Sequence, residues 1–276
     1  MIAFKNIFLK KCIIFFFLII FLCFFQNKEV VAHELWLEKN SNLEDKTLID
    51  IMIGQNFKGT PFGFSNNEKE KLFLDNNNII KDIEQRDGDF PAIQTKLNNN
   101  YFNVINYESK YSFLKYDNIE TFEDFVKEQN FLDILSSYNS SKLPTENYKR
   151  FSKILISNSN DFFQQTSKLD FELIALNSPF DKKNEFFEFK LMDKGKPLGN
   201  FQITIFSKTR ENFTQEIIKT KPNGEGKIRV FDDRVYLLSA VKIFKPNFIQ
   251  NLKLKSDWVS HWASLTFFPS HFPSHN

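Results

Sequence analysis

Cysteine is missing from all of the chain beyond residue 25. The two cysteines, Cys12 and Cys23, lie in the opening apolar run. Once that run is removed, no disulfide, iron–sulfur or thiolate–zinc site can form. Glycine is also scarce, with 8 in 276 residues. No GK[ST] or GxGxxG sequence follows a strand pattern, which excludes the phosphate-cradling loops built on them. There is no GxSxG, so a nucleophile elbow is absent. Long apolar runs are lacking too. The longest, Cys12 to Phe25 (CIIFFFLIIFLCFF), is shorter than the roughly 20 residues of a spanning helix.

That run does suit a secretory leader. Lys5, Lys10 and Lys11 precede it, and Val30-Val31-Ala32 puts small residues before His33. The pattern predicts a signal peptide over 1–32, cleavage before His33 and export to the periplasm. No stable membrane anchor is expected after cleavage. Removing Lys5, Lys10, Lys11 and Lys28 from 36 basic residues, and Glu29 from 34 acidic ones, leaves 32 and 33. A net charge near −1 gives no electrostatic case for nucleic acid.

Histidine is rare and unevenly placed. The four are His33, His261, His271 and His275. A chain starting at His33 would carry a free α-amine beside an imidazole. An α-amine has an unperturbed pKa of about 7.7–8, so a metal ion can displace its proton near neutrality. Nitrogen donors of this kind suit Cu(II), Ni(II) and Co(II). The expected metal ligands are His33, His261 and Glu34: His261 as a third nitrogen on a strand, Glu34 as an oxygen donor. His271 and His275 flank Pro273, which disfavours a helical ligand pair; residues 269–276 read as a flexible tail.

The patterning is mainly that of strands. Leu48 to Ile53 (LIDIMI) alternates apolar and polar residues, the mark of a half-buried strand. Gly54 to Phe64 reads as a loop. Further strands are expected at Lys71–Leu74, Ile79–Gln85, Ala92–Leu97, Tyr101–Tyr107 and Tyr111–Lys115. Helical spacing then appears in TFEDFVKEQNFLDIL, with Thr121 as N-cap. Pro144-Thr145 opens a second helical pattern with Tyr148, Phe151, Ile154 and Leu155 on one face. The last third returns to strands at Phe171–Ala175, Phe186–Met192, Phe201–Phe206, Lys227–Val230, Val235–Val241 and Ser264–Phe268. Short strands between turns such as Pro222-Asn223-Gly224-Glu225-Gly226 suggest an Ig-like sandwich. The expected organisation is mainly β: a β-rich domain over 33–180 with a helical pair near 121–158, and an Ig-like β-sandwich domain over 181–268.

Several segments, in order, resemble the domain-of-unknown-function family 4198. They are Ala32-His33-Glu34-Leu35-Trp36-Leu37-Glu38, Gly54-Gln55-Asn56-Phe57-Lys58-Gly59, FEDFVKEQNFLDIL and Tyr148-Lys149-Arg150-Phe151-Ser152-Lys153. Leu169-Asp170-Phe171-Glu172-Leu173-Ile174, Gly195-Lys196-Pro197-Leu198 and Asp257 to Phe267 follow. Lys39 replaces the family's proline after the opening motif, and Pro269 to Asn276 has no counterpart. The resemblance implies a periplasmic protein associated with cobalt and nickel uptake. A membrane metal transporter is then the implied partner, and a nickel, cobalt or copper ion the implied ligand. Two other functions stay open: a metal-free β-sandwich interaction module of the cell envelope, and a copper oxidase using the His33 chelate.

Overall fold

In a computed structural model, residues 33–98, 100–137, 141–157 and 161–269 are described. The expected leader, and His271 and His275, lie outside the described residues. The chain opens as a hairpin, β1 (Glu34–Leu43) and β2 (Lys46–Gln55), with Leu35 opposite Ile53 and Leu37 opposite Ile51. β3 (Lys58–Phe62) then pairs with β2, so the expected loop over Gly54 to Phe64 is mostly strand. Two left-handed residues, Asn56 and Phe57, make the turn. Gly59 is needed where β3 passes Trp36: a Cβ there would come within 2.6 Å of the indole Cη2.

β4 (Lys69–Asn76), β5 (Ile79–Asp82), β6 (Ile93–Thr95), β7 (Asn103–Ser109) and β8 (Ser112–Lys115) complete the first part. Helices α1 (Ile119–Glu128) and α2 (Leu132–Ser137) follow. The N-cap of α1 is Asn118, which accepts from the Thr121 N–H at 2.7 Å. Asn130, with φ of 61°, separates the two helices. Phe122, Phe125 and Val126 are buried, the i, i+3, i+4 stripe read in the sequence.

The second expected helix is instead β9 (Thr145–Ile156). Tyr148, Phe151, Ile154 and Leu155 do fit a helical face. The strand, however, is covered on both sides, so its buried residues do not alternate. Glu146, Ser152 and Lys153 are all at most 2% exposed. After it come β10 (Phe171–Ala175), β11 (Phe186–Asp193), β12 (Lys196–Pro197), β13 (Gln202–Lys208), β14 (Phe213–Lys219), β15 (Glu225–Arg229) and β16 (Val235–Phe244). Helix α3 (Phe248–Leu254) and β17 (Trp258–Phe267) close the fold.

Three sheets stack. The first holds β1, β2, β3 and β6; the third holds β10, β11, β12 and β15. Between them lies a nine-stranded sheet in the order β14-β13-β16-β17-β9-β7-β4-β5, with β8 beside β9. Leu35, Leu37 and Ile51 pack on Leu74, Ile105 and Ile154 across one face. Phe171, Phe187 and Phe189 pack on Phe151, Leu238 and Leu265 across the other. The chain is thus mainly β and sandwich-like. The central sheet runs across the expected boundary near residue 180: β17 pairs in parallel with β9, and the described residues from His33 to Pro269 cluster as one compact unit. Hydrogen bonding along that shared sheet leaves no seam between a 33–180 and a 181–268 domain. Among the described residues, no helix is long and apolar enough to cross a membrane.

Candidate functional site

The start of β1 lies over β9 and the end of α1. The His33 carbonyl accepts two hydrogen bonds from Arg150, from Nε at 3.0 Å and Nη2 at 2.8 Å. The guanidinium itself sits over the Tyr148 ring, 4.5 Å from its centroid. Burial, then the Arg150 charge, lowers the pKa of the half-buried His33 imidazole. Both effects disfavour the imidazolium. Its Nδ1 is buried and has no partner among the described residues.

Glu34 is held by the turn that follows β2. The backbone N–H groups of Asn56 and Phe57 donate to its carboxylate and pull its pKa down. Desolvation, and then the carboxylate of Glu128, outweigh them and push it up to about 7. Partial desolvation also raises Glu128, at the end of α1. Glu34 Oε2 is buried and unpartnered. Two neighbouring residues therefore each carry an orphaned buried donor atom, and a second carboxylate is close enough to repel the first. A cation would relieve that repulsion. Among the described residues, no group of three or more His, Cys, Asp or Glu is placed to hold an ion. Side chains at this end offer two unpartnered atoms, carried by successive residues of the chain.

His261 lies elsewhere. It faces the third sheet, between Lys149 of β9 and Lys242 of β16 in the strand register. The rings of Phe151, Phe171 and Phe244 surround it at 5.3, 6.3 and 5.1 Å. Its Nε2 is 2.9 Å from the Tyr111 hydroxyl. Burial, followed by Lys242, Lys149 and Lys194, pushes its pKa down to about 3. β1 crosses the opposite face of β17, where Ser264 Oγ donates to the Leu35 carbonyl at 2.7 Å and Thr266 Oγ1 to that of Leu37 at 2.5 Å. His33 and His261 thus sit on opposite sides of one sheet, and the expected shared ion is corrected. Side chains alternate along a strand, so the even-numbered residues of β17 that meet β1 turn His261 away from it. His261 Nδ1 is buried without a partner among the described residues, but the three lysines that act on the ring repel a metal cation.

Two further groups act at the candidate end, Glu128 and Arg150. Glu128 closes an ordinary amphipathic helix and carries no local signal. Arg150 sits inside the quoted Tyr148–Lys153 segment, but a burial of this kind needs the strand that the helical spacing concealed. A further buried network joins β9 to β17. Glu146 accepts from Tyr116 at 2.6 Å and from Ser260, whose Oγ also accepts from Trp262 Nε1 at 2.8 Å. Burial raises the pKa of Glu146.

A family model described as Domain of unknown function (DUF4198) matches residues 30–243. The matched span contains His33, Glu34, Glu128 and Arg150 and stops before β17, so His261 falls beyond it. No curated protein matches the chain.

Proposed function

The chain belongs to the DUF4198 family, and from that premise we propose that it is an exported protein that binds a transition-metal ion at His33 and Glu34. The cargo is Ni(II), Co(II) or Cu(II), and the receiver is a membrane metal-uptake system. The observation that carries this reading is that two successive residues each keep a buried, unpartnered atom, His33 Nδ1 and Glu34 Oε2, with the Glu128 carboxylate acting on Glu34. Cleavage before His33 would add its α-amine. The residues present fit such an ion in type: imidazole and amine nitrogens with one carboxylate.

Each residue then has a task. Arg150 fixes the His33 carbonyl through two hydrogen bonds. Burial, and then the Arg150 charge, disfavour the imidazolium and so favour the unprotonated state a ligand needs. Glu34, titrating near 7, gives up a proton as it takes a cation, so binding strengthens with pH across neutrality. The ion supplies a positive charge to the desolvated Glu34 carboxylate, which Glu128 further repels.

The test is calorimetric titration with NiCl2, CoCl2 or CuCl2 of protein whose N-terminus has been fixed by intact mass. One ion per chain is expected. Glu34→Gln should weaken binding at least tenfold, and one residue added before His33 should weaken it further. Absence of binding by protein that begins at His33 would refute the proposal. A metal-free envelope module is the second reading, and the apolar surface of α3 favours it.

A further inference from the structure

Helix α3 is well specified, and its end is tied to β9, where Asn147 Nδ2 donates to the Leu254 carbonyl at 2.9 Å, yet its large apolar side chains stand outward. Asn247 and Gln250 form a reciprocal capping box at its start, and Lys255, with φ of 52°, ends it in the left-handed conformation. Both devices hold a short helix in place. None of its residues is buried. Phe248, Ile249 and Leu252 are 79%, 65% and 63% exposed. At spacing i, i+1, i+4 they share one side of the helix. Single exposed apolar residues are ordinary, but three large ones together on a rigid element mark a contact surface.

The charges within the segment have one sign. Lys245, Lys253 and Lys255 flank the three apolar side chains, and residues 245–255 include no Asp or Glu. None of these lysines enters an ion pair among the described residues. Lys245 instead stands over the Trp258 ring at 5.5 Å. The nearest carboxylate along the chain, Asp257, is already engaged by Lys142 at 2.9 Å and by Thr145. The surface thus offers apolar tips inside a cationic border, at the end of two central strands, β16 and β17.

We propose that α3 docks the protein on an anionic lipid bilayer. Phe248, Ile249 and Leu252 enter the boundary between headgroups and acyl chains, and Lys245, Lys253 and Lys255 meet the phosphates. A helix with one apolar side and a lysine-rich border is the usual form of a segment that lies on a membrane rather than crossing it. Lysines near an anionic leaflet add attraction that salt screens. A bilayer fits better than a protein partner because the border is of a single sign and the apolar residues project outward. This docking is independent of the metal reading.

Phe248→Trp supplies a local reporter, since Trp36, Trp258 and Trp262 are at most 7% exposed. The variant, in the form that accumulates in the producing cell, is titrated with phosphatidylglycerol-containing vesicles and with pure phosphatidylcholine vesicles. A blue shift of its emission is expected on the anionic vesicles only, and it should recede at high salt. Combining Lys245→Gln, Lys253→Gln and Lys255→Gln should weaken partition at least tenfold. No shift on either vesicle would overturn the proposal. So would a shift that appears without lipid as protein concentration rises, together with dimers in sedimentation, because the face would then belong to a second copy.

Discussion

Ser264 Oγ donates to the Leu35 carbonyl at 2.7 Å, and that bond sets β1 on the face of β17 that His261 does not share. One consequence is a clean separation of roles. His261→Ala should leave Ni(II), Co(II) and Cu(II) binding unchanged while lowering stability. The cost should be on the order of 1–3 kcal/mol, from a cavity among aromatic rings and a Tyr111 hydroxyl left unpaired. Calorimetric metal titration and urea unfolding of the same variant check both halves.

His261 also makes the fold acid-sensitive. Its pKa is about 3 in the folded protein against 6.5 as a free side chain. The folded state therefore resists protonation. The contribution is whole above pH 6.5 and shrinks as pH falls toward 3, by up to about 1.4 kcal/mol per pH unit. His261→Gln keeps a polar group beside Tyr111 but cannot titrate. Unfolding free energies at pH 7 and pH 5 should differ less in this variant than in the parent. An equal difference in both would assign the acid sensitivity to other groups.

Gly59 offers a test of packing between β3 and β1. A Cβ there would meet Trp36 Cη2 at 2.6 Å and the Ile53 carbonyl oxygen at 2.7 Å. Backbone on one side and a fully buried indole on the other leave no room to give. Gly59→Ala should destabilise by about 1–3 kcal/mol, as overpacking does. Loss of Trp36 burial would show as a red-shifted emission component before global unfolding.

Much of the β architecture is legible as short apolar and aromatic runs bounded by turn residues, whether a strand has one buried face or, like Phe171–Ala175, is buried throughout. Phe171–Ala175 was placed to the residue, and β11 and β16 nearly so. β9 is hidden because its apolar residues Tyr148, Phe151, Ile154 and Leu155 fall at helical spacing while polar ones are buried between them, and β14 because its residues are almost all exposed at a sheet edge. Neither situation produces period-two patterning. Helix α3 escaped because its apolar residues face outward, where no packing stripe is expected. At the candidate site, His33 and Glu34 stood out by residue type and position. Their partners Glu128 and Arg150 are 94 and 116 residues from Glu34, a proximity that only the fold creates. The His261 expectation failed on side-chain alternation, which a strand's sequence does not resolve until its neighbours are known.

Glu34 joins stability to the proposed function, and its two roles pull in opposite directions. Its pKa is raised from 4.5 to about 7 by desolvation first and then by Glu128. A carboxylate whose folded pKa is raised stabilises fully below the unfolded pKa of 4.5 and loses that contribution as pH climbs through 7. Glu34→Gln removes the titration. Relative to the parent, the metal-free variant should gain stability at pH 8 on the order of 1–3 kcal/mol, and little or nothing at pH 4. With a cation bound the order should reverse, because the parent's carboxylate then has a partner and the amide does not. Thermal unfolding of both proteins at pH 8, with and without NiCl2, reads the crossing directly. A parent that stays less stable than Glu34→Gln at saturating nickel would remove Glu34 from the binding site.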